Sequence, residues 1–189
     1  MTQILITPPA ELAVDLVTAK ANLHIDGDDM DPLVTSWIKG VTSTMEGEIG
    51  QCMVTQEWDV IVDRFADCIA LPHPANDVVS VSYIDQAGVK QDLAPALCRI
   101  VRKRYESTLV PARGARWPVT ACGDAEVTIR VSCGYGPDDA TTPAALKLYI
   151  ISKLVEQYDP VSATMRDVTT DTAQSKYLEK MLDQFRSYT

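Results

Sequence analysis

The spacing of apolar residues divides the chain into three stretches. From Leu16 to Leu23, Leu16, Ala19 and Leu23 fall on one side of a short helix, and Asp15 stands where a side-chain oxygen can cap it. From Leu33, apolar residues recur every fourth position as Leu33, Trp37, Val41 and Met45, with Val34, Ile38 and Ile49 beside them. That pattern predicts an amphipathic helix of about four to five turns. Pro32 suits its first turn, where an N–H has no intrahelical partner, and Gly47 and Gly50 mark its end.

At Val54 the period drops to two. "TQEWDVIVDRF" sets Trp58, Val60 and Val62 against Glu57, Asp59 and Asp63, a strand with one wet face. "VVSVSYIDQAGVKQDL" reads as a hairpin, with Val79, Val81 and Tyr83 on one face and Asp85-Gln86-Ala87-Gly88 in the turn. "LCRIVRKRYESTLV" predicts two short strands around a basic turn, and "AEVTIRVSCGYG" another half-buried strand. Helical spacing returns after Thr142, a candidate cap, and Pro143. Leu146, Ile150 and Leu154, widened by Leu148, Ile151 and Val155, predict a helix buried on most sides, stopped by Asp159-Pro160. "VSATMRDVTTDTA" has no period and reads as a loop, and a last helix is predicted over 173–186. The expected fold class is α+β, a single domain of helices (12–50), a central antiparallel β meander (54–134) and C-terminal helices (142–188) packing with the N-terminal ones, because the β unit alone is small.

Composition narrows the chemistry. An apolar content of 46% over 189 residues supports a folded core. No run of about 18 apolar residues is present, so no helix is expected to span a membrane, and the N-terminus lacks a secretory pattern. A cytoplasmic protein is expected. Five scattered cysteines without a CxxC pair, and two distant histidines, offer no zinc or redox motif; the thiols are expected to be reduced and mostly packed as small apolar groups.

Charge is unevenly distributed. The chain carries −9, with eight acids and two lysines in residues 1–50. Residues 98–117 hold Arg99, Arg102, Lys103, Arg104, Arg113 and Arg116 against Glu106, a net +5, next to Trp117. Such a segment can be a solvated hairpin, a subunit contact or a grip on nucleic acid. The overall negative charge favours the contact over phosphate binding.

The stretch "HIDGDDMDP" raises the question of a metal site. Read as a calcium loop from Asp26, it puts Met30 at the fifth position, Asp31 where glycine is needed and Trp37 where the closing acid belongs. Asp28, Asp29 and Asp31 instead suit the positive end of the following helix. His73, between Pro72 and Pro74, reads as an exposed turn. No nucleophile elbow, phosphate loop or HExxH pattern occurs. The competing enzymatic reading is a small hydrolase holding a divalent metal on Asp26, Asp28 and Asp29.

The order of motifs, however, resembles one family. "LVTAKANLHIDGDDMDPLVTSWIKGVTSTMEGEIGQCMVTQEWDVIVDRF", then "LPHPANDVVSVSYIDQAGVKQDL", "LVPARGARWP", "VTIRVSCGYGPDDATTPAALKLYIISKLVEQY" and "LEKMLDQFRSY" are similar, in sequence order, to the head–tail connector (adaptor) proteins of long-tailed bacteriophages and prophages. His24 stands where that family usually has arginine, and the loop before the last helix is more neutral than usual. The resemblance implies a non-enzymatic subunit without cofactor or metal, located in the virion neck after assembly in the host cytoplasm. It implies a twelvefold head-to-tail ring beneath the portal protein, with DNA passing through without sequence-specific binding and a tail or stopper protein docking on it. A ring of this kind joins two different patches of one surface. The candidate patches are Asp28, Asp29 and Asp31 on one side and Arg99, Arg102, Lys103, Arg104, Arg113, Arg116 and Trp117 on the other. By analogy Leu178, Leu182, Phe185, Arg186 and Tyr188 are candidates for the portal side.

Overall fold

The computed structural model describes residues 1–158 and 180–186. In chain order the elements are β1 (Thr2–Thr7), α1 (Leu16–Leu23), α2 (Asp31–Ile49), β2 (Gln56–Val62), β3 (Ile69–Leu71), β4 (Ala75–Ile84), β5 (Lys90–Leu93), β6 (Cys98–Arg102), β7 (Ser107–Pro111), β8 (Val127–Cys133) and α3 (Ala144–Tyr158). The class is α+β, as expected, and the chain divides into two compact units. One comprises residues 1–10 and 55–134, the other 11–54 and 135–189.

The β unit holds two antiparallel sheets, one ordered β1-β2-β8-β4-β5 and one ordered β3-β7-β6. Register follows the alternation in sequence. Trp58, Val60 and Val62 stand opposite Val131, Ile129 and Val127, placing one apolar row on one face. Val60, Val81, Val127, Ile129 and Val131 from the larger sheet share a core with Ile69, Leu71 and Leu109 from the smaller. On the other face, Arg130 donates to both carboxylate oxygens of Asp59 at 2.8 and 2.9 Å, which raises the guanidinium's already high pKa.

Two details of this unit depart from the alternation. In β4 the pairing with β8 shifts between Val78 and Ser80, so Val78 faces Val131 and Val81 faces Ile129. The extra residue, Val79, is turned out and is 46% exposed, not part of an inward row with Val81 and Tyr83. Strand β1, in a segment with no predicted element, pairs with β2 from Thr2↔Ile61 to Thr7↔Glu57. The β4–β5 turn is as expected: Asp85 Oδ1 accepts from the N–H groups of Ala87 and Val89 at 2.9 and 3.0 Å, and Gly88 adopts φ +78°.

In the helical unit, Asp15 caps α1 through Thr18 N–H at 2.9 Å, and Gly50, at φ +70°, closes α2. The buried stripe of α2 is Val34, Ile38, Thr42, Met45 and Ile49, rotated from the fourfold row, so that Leu33 faces outward. It packs with Ala19 and Leu23 of α1 and with Leu146, Tyr149, Ile150 and Leu154 of α3. The N- and C-terminal helices thus share a core, as predicted. Each large aliphatic side chain buried there stabilises the fold by about 1.5–3 kcal/mol. Leu148 of α3 stays exposed. α3 begins at Ala144, after Pro143, and the Thr142 hydroxyl is buried without a hydrogen-bond partner, so it is not the cap that its position suggested. Residues 180–183 are helical, within the predicted last helix; the rest of that helix before 180 and the loop expected at 161–173 lie outside the described residues.

Candidate functional site

The aspartate turn is organised by a lysine from the preceding helix. Lys20, near the end of α1, places Nζ 2.5 Å from Asp31 Oδ1 and 3.1 Å from Asp28 Oδ1. Hydrogen bonding to Asp31 is the largest influence and holds the ammonium above its usual pKa, with Asp28 adding to it. The residue before α2, Met30, makes no side-chain cap bond; Asp31 is the first helical residue and Pro32 follows it. The aspartates therefore act chiefly as a clamp between α1 and α2, and only Asp31 lies in the first turn where the helix dipole favours an acid. Asp26 and Asp29 are exposed and make no ion pair among the described residues. Of the three carboxylates of the hydrolase reading, Asp28 is engaged by the Lys20 ammonium, which competes with a divalent cation there. Among the described residues no group of three or more histidine, cysteine or acidic side chains is placed to hold a metal.

The basic segment forms the β6–β7 hairpin and its continuation. Arg99, Arg102, Lys103, Arg104, Arg113 and Arg116 are all exposed. Lys103 pairs with Glu106 across the turn, Arg102 donates to the carbonyl of Asn76 at 3.3 Å, and the Arg104 guanidinium lies 5.0 Å from the centre of the Tyr105 ring. Trp117 belongs to the core side instead. It stacks on Phe65 with centroids 4.7 Å apart, and Phe65 meets Tyr83 edge-on at 5.7 Å. Phe65 thereby takes one face of the indole away from any external ring.

Next to the turn of this hairpin lies a polar contact that sequence spacing did not reveal. Ser107, the first residue of β7, is 1% exposed, and His73, in the β3–β4 connection, is 9% exposed. The exposed turn expected at His73 is thus a buried one. Ser107 Oγ accepts from Ala75 N–H at 3.0 Å and lies 2.9 Å from His73 Nδ1. The hydroxyl oxygen has a second lone pair and a proton left for the imidazole, so it pairs with Nδ1 in either ring tautomer. Burial lowers the imidazole pKa first and the charge of Arg102 second, so His73 is held neutral. The pair fixes the hairpin to the start of β4.

Of the C-terminal candidates, Leu182 is 1% exposed within the helical core and Phe185 packs against that core. Arg186 pairs with Asp183 at 3.0 Å. Gln51, buried, donates through Nε2 to the Phe185 carbonyl and accepts from Tyr135 Oη at 2.5 Å, and burial raises the Tyr135 pKa. Leu178 and Tyr188 lie outside the described residues. Cys52 and Cys133 are buried and Cys98 is half-buried, with burial raising the Cys98 thiol pKa, while Cys68 and Cys122 are exposed. No helix among the described residues is long and apolar enough to cross a membrane.

This combination, a β unit with an exposed basic hairpin and a helical unit with an acidic clamp, defines an α+β protein whose distinctive chemistry is on its surfaces. No family model and no curated protein matches the chain. Solved structures do. The chain is similar over 100% of its length, and 97% of the other chain, to a component of the neck of an empty gene transfer agent (GTA) particle computed with C6 symmetry, at 17% identity and a TM-score of 0.77. It is likewise similar to a component of the virion of a native GTA particle, at 18% identity and a TM-score of 0.74. A third match is to the neck of a native GTA particle computed with C12 symmetry, at 20% identity and a TM-score of 0.71, with the same coverage. The chain therefore has the fold of proteins found in the necks of phage-like particles.

Proposed function

We propose that this chain is a structural subunit of the neck of a bacteriophage or prophage particle, and that its two units are the helical and β parts of one connector domain. Copies assemble head-to-tail into a twelvefold ring that docks beneath the portal protein, extends the DNA channel and gives a tail or stopper protein its platform. The observation that carries this reading is the end-to-end likeness to neck components, one of them from an assembly computed with C12 symmetry. It is reinforced by the segregation of acid and base along the chain, which supplies two different, complementary patches for a heterologous contact.

The physical role follows from charge. A chain of −9 repels duplex phosphate, so a channel lined mainly by its acidic surface lets DNA slide, whereas a basic wall holds it. The basic hairpin is accordingly assigned to a contact away from the channel axis. For the portal side, Phe185 and Arg186 retain surface while Leu182 is committed to the core. Catalysis has no part in this function.

Light scattering over a range of concentrations, followed by addition of the protein to filled particles lacking their neck, tests the proposal. Ring-sized mass, or capture by such particles with ring stoichiometry, is expected. A chain that stays solitary at every concentration and fails to bind the particles would overturn it.

A further inference from the structure

On the outer face of the small β sheet Ala70 and Arg99 are exposed and Val101, Thr108 and Val110 half-buried, and the composition is that of a contact surface. From the register, Ala70, Thr108 and Val101 form one row across β3, β7 and β6, and Val110 and Arg99 form the next. Their opposite neighbours Ile69, Leu71, Leu109 and Ile100 pack into the core, so this row of small and β-branched side chains faces out. Basic groups border it along the whole hairpin. Arg99 lies in its middle, and Lys103 and Arg104 lie at its closed end. Arg113 follows Ala112, whose N–H donates to the Leu97 carbonyl at 2.8 Å and so extends the hairpin at its open end. At about 3.3 Å per residue the five residues of β6 alone extend about 16 Å.

The charge on this face is not neutralised from within. Glu106, the one acid between positions 98 and 117, is engaged by Lys103. Arg99, Arg104, Arg113 and Arg116 have no ion-pair partner among the described residues. A weakly polar face carrying Arg99 and bordered by Arg104 and Arg113 matches the anatomy of protein contacts, and these unpaired arginines call for carboxylates from outside.

Resting on the ring reading above, we propose that the outer face of the β3-β7-β6 sheet docks a second copy of this chain, specifically its α1–α2 turn. The argument is charge complementarity. With +5 in residues 98–117 and −9 overall, the remainder of the chain carries −14, and its densest acidic run is at 26–31. Within that run the Lys20 clamp engages Asp28 and Asp31, and it leaves the exposed Asp26 and Asp29 for an external cation. Face and turn are different surfaces, so the contact is heterologous and propagates from copy to copy. Duplex DNA, the competing anionic occupant, is disfavoured by the acid carried elsewhere on the same chain.

The test uses two charge-reversed full chains, Arg99→Glu/Arg104→Glu and Asp26→Lys/Asp29→Lys, both altered only at exposed positions, with circular dichroism melts to verify folding. In sedimentation velocity each variant alone is expected to lose self-association by more than about 100-fold, and an equimolar mixture to recover it, since the reversed charges match again across the contact. Assembly of the wild type is expected to weaken from about 0.1 M to about 1 M salt, as the Debye length falls from about 10 Å to about 3 Å. Rings from Arg99→Glu/Arg104→Glu with unchanged mass and affinity would overturn this docking mode and leave the ring reading standing. Unchanged self-association together with lost duplex binding would assign the face to DNA. A wild type that never associates, alone or on neckless particles, would remove the ring reading itself.

Discussion

Replacing Ser107 by alanine isolates the contact that holds the basic hairpin in place. The substitution removes one oxygen and leaves two buried groups without partners: Ala75 N–H, which donates to Ser107 Oγ at 3.0 Å, and His73 Nδ1, 2.9 Å from the same atom. Each buried polar group left unsatisfied costs about 1–3 kcal/mol, so the variant is expected to lose about 2–6 kcal/mol. Against a typical domain stability of about 5–15 kcal/mol this is a large fraction. Urea unfolding at neutral pH followed by tryptophan fluorescence is a suitable assay, because Trp58 and Trp117 both belong to the β unit. A cycle with His73→Phe adds a sharper criterion. If the hydroxyl and the ring act together, the two substitutions couple by more than about 0.5 kcal/mol. A loss below about 1 kcal/mol, or additive single effects, would refute the reasoning and reduce the pair to two adjacent buried side chains.

Acidification is expected to destabilise the β unit through His73. Burial lowers its pKa from the ordinary 6.5, so the unfolded chain binds the proton first and stability falls as the pH drops below about 6.5, levelling off once the folded-state pKa is passed; a His73→Phe variant should lose that component of the slope in urea melts taken at stepped pH. Gln51→Leu is expected to cost about 1–3 kcal/mol in the helical unit, since it strips partners from the Phe185 carbonyl and the Tyr135 hydroxyl. Thermal melts monitored through Trp37 fluorescence, in a background with the other two tryptophans replaced by phenylalanine, would check this, and an unchanged midpoint would show that water replaces the amide.

The sequence by itself determined the local elements. Period 3.6 marked α2 and α3, period 2 marked β2 and β8, Asp15 announced the start of α1, and Asp85 with Gly88 announced the β4–β5 turn. These are decided by neighbours within a few residues, so the signal is written where the structure forms. The charge segregation between 1–50 and 98–117 was also legible, because it is a count. What only the tertiary structure decided involves partners far apart in the chain. "TQILIT" has no alternation of its own, and becomes a strand because the edge of β2 supplies hydrogen bonds. Val79 leaves the inward row because the pairing of β4 with β8 takes a bulge there. The aspartates became a clamp when α1 brought Lys20 back over the turn, and His73 was buried because Ser107, 34 residues away, met it beneath the hairpin. Each of these outcomes was set by long-range packing and register, which no window of neighbouring residues contains.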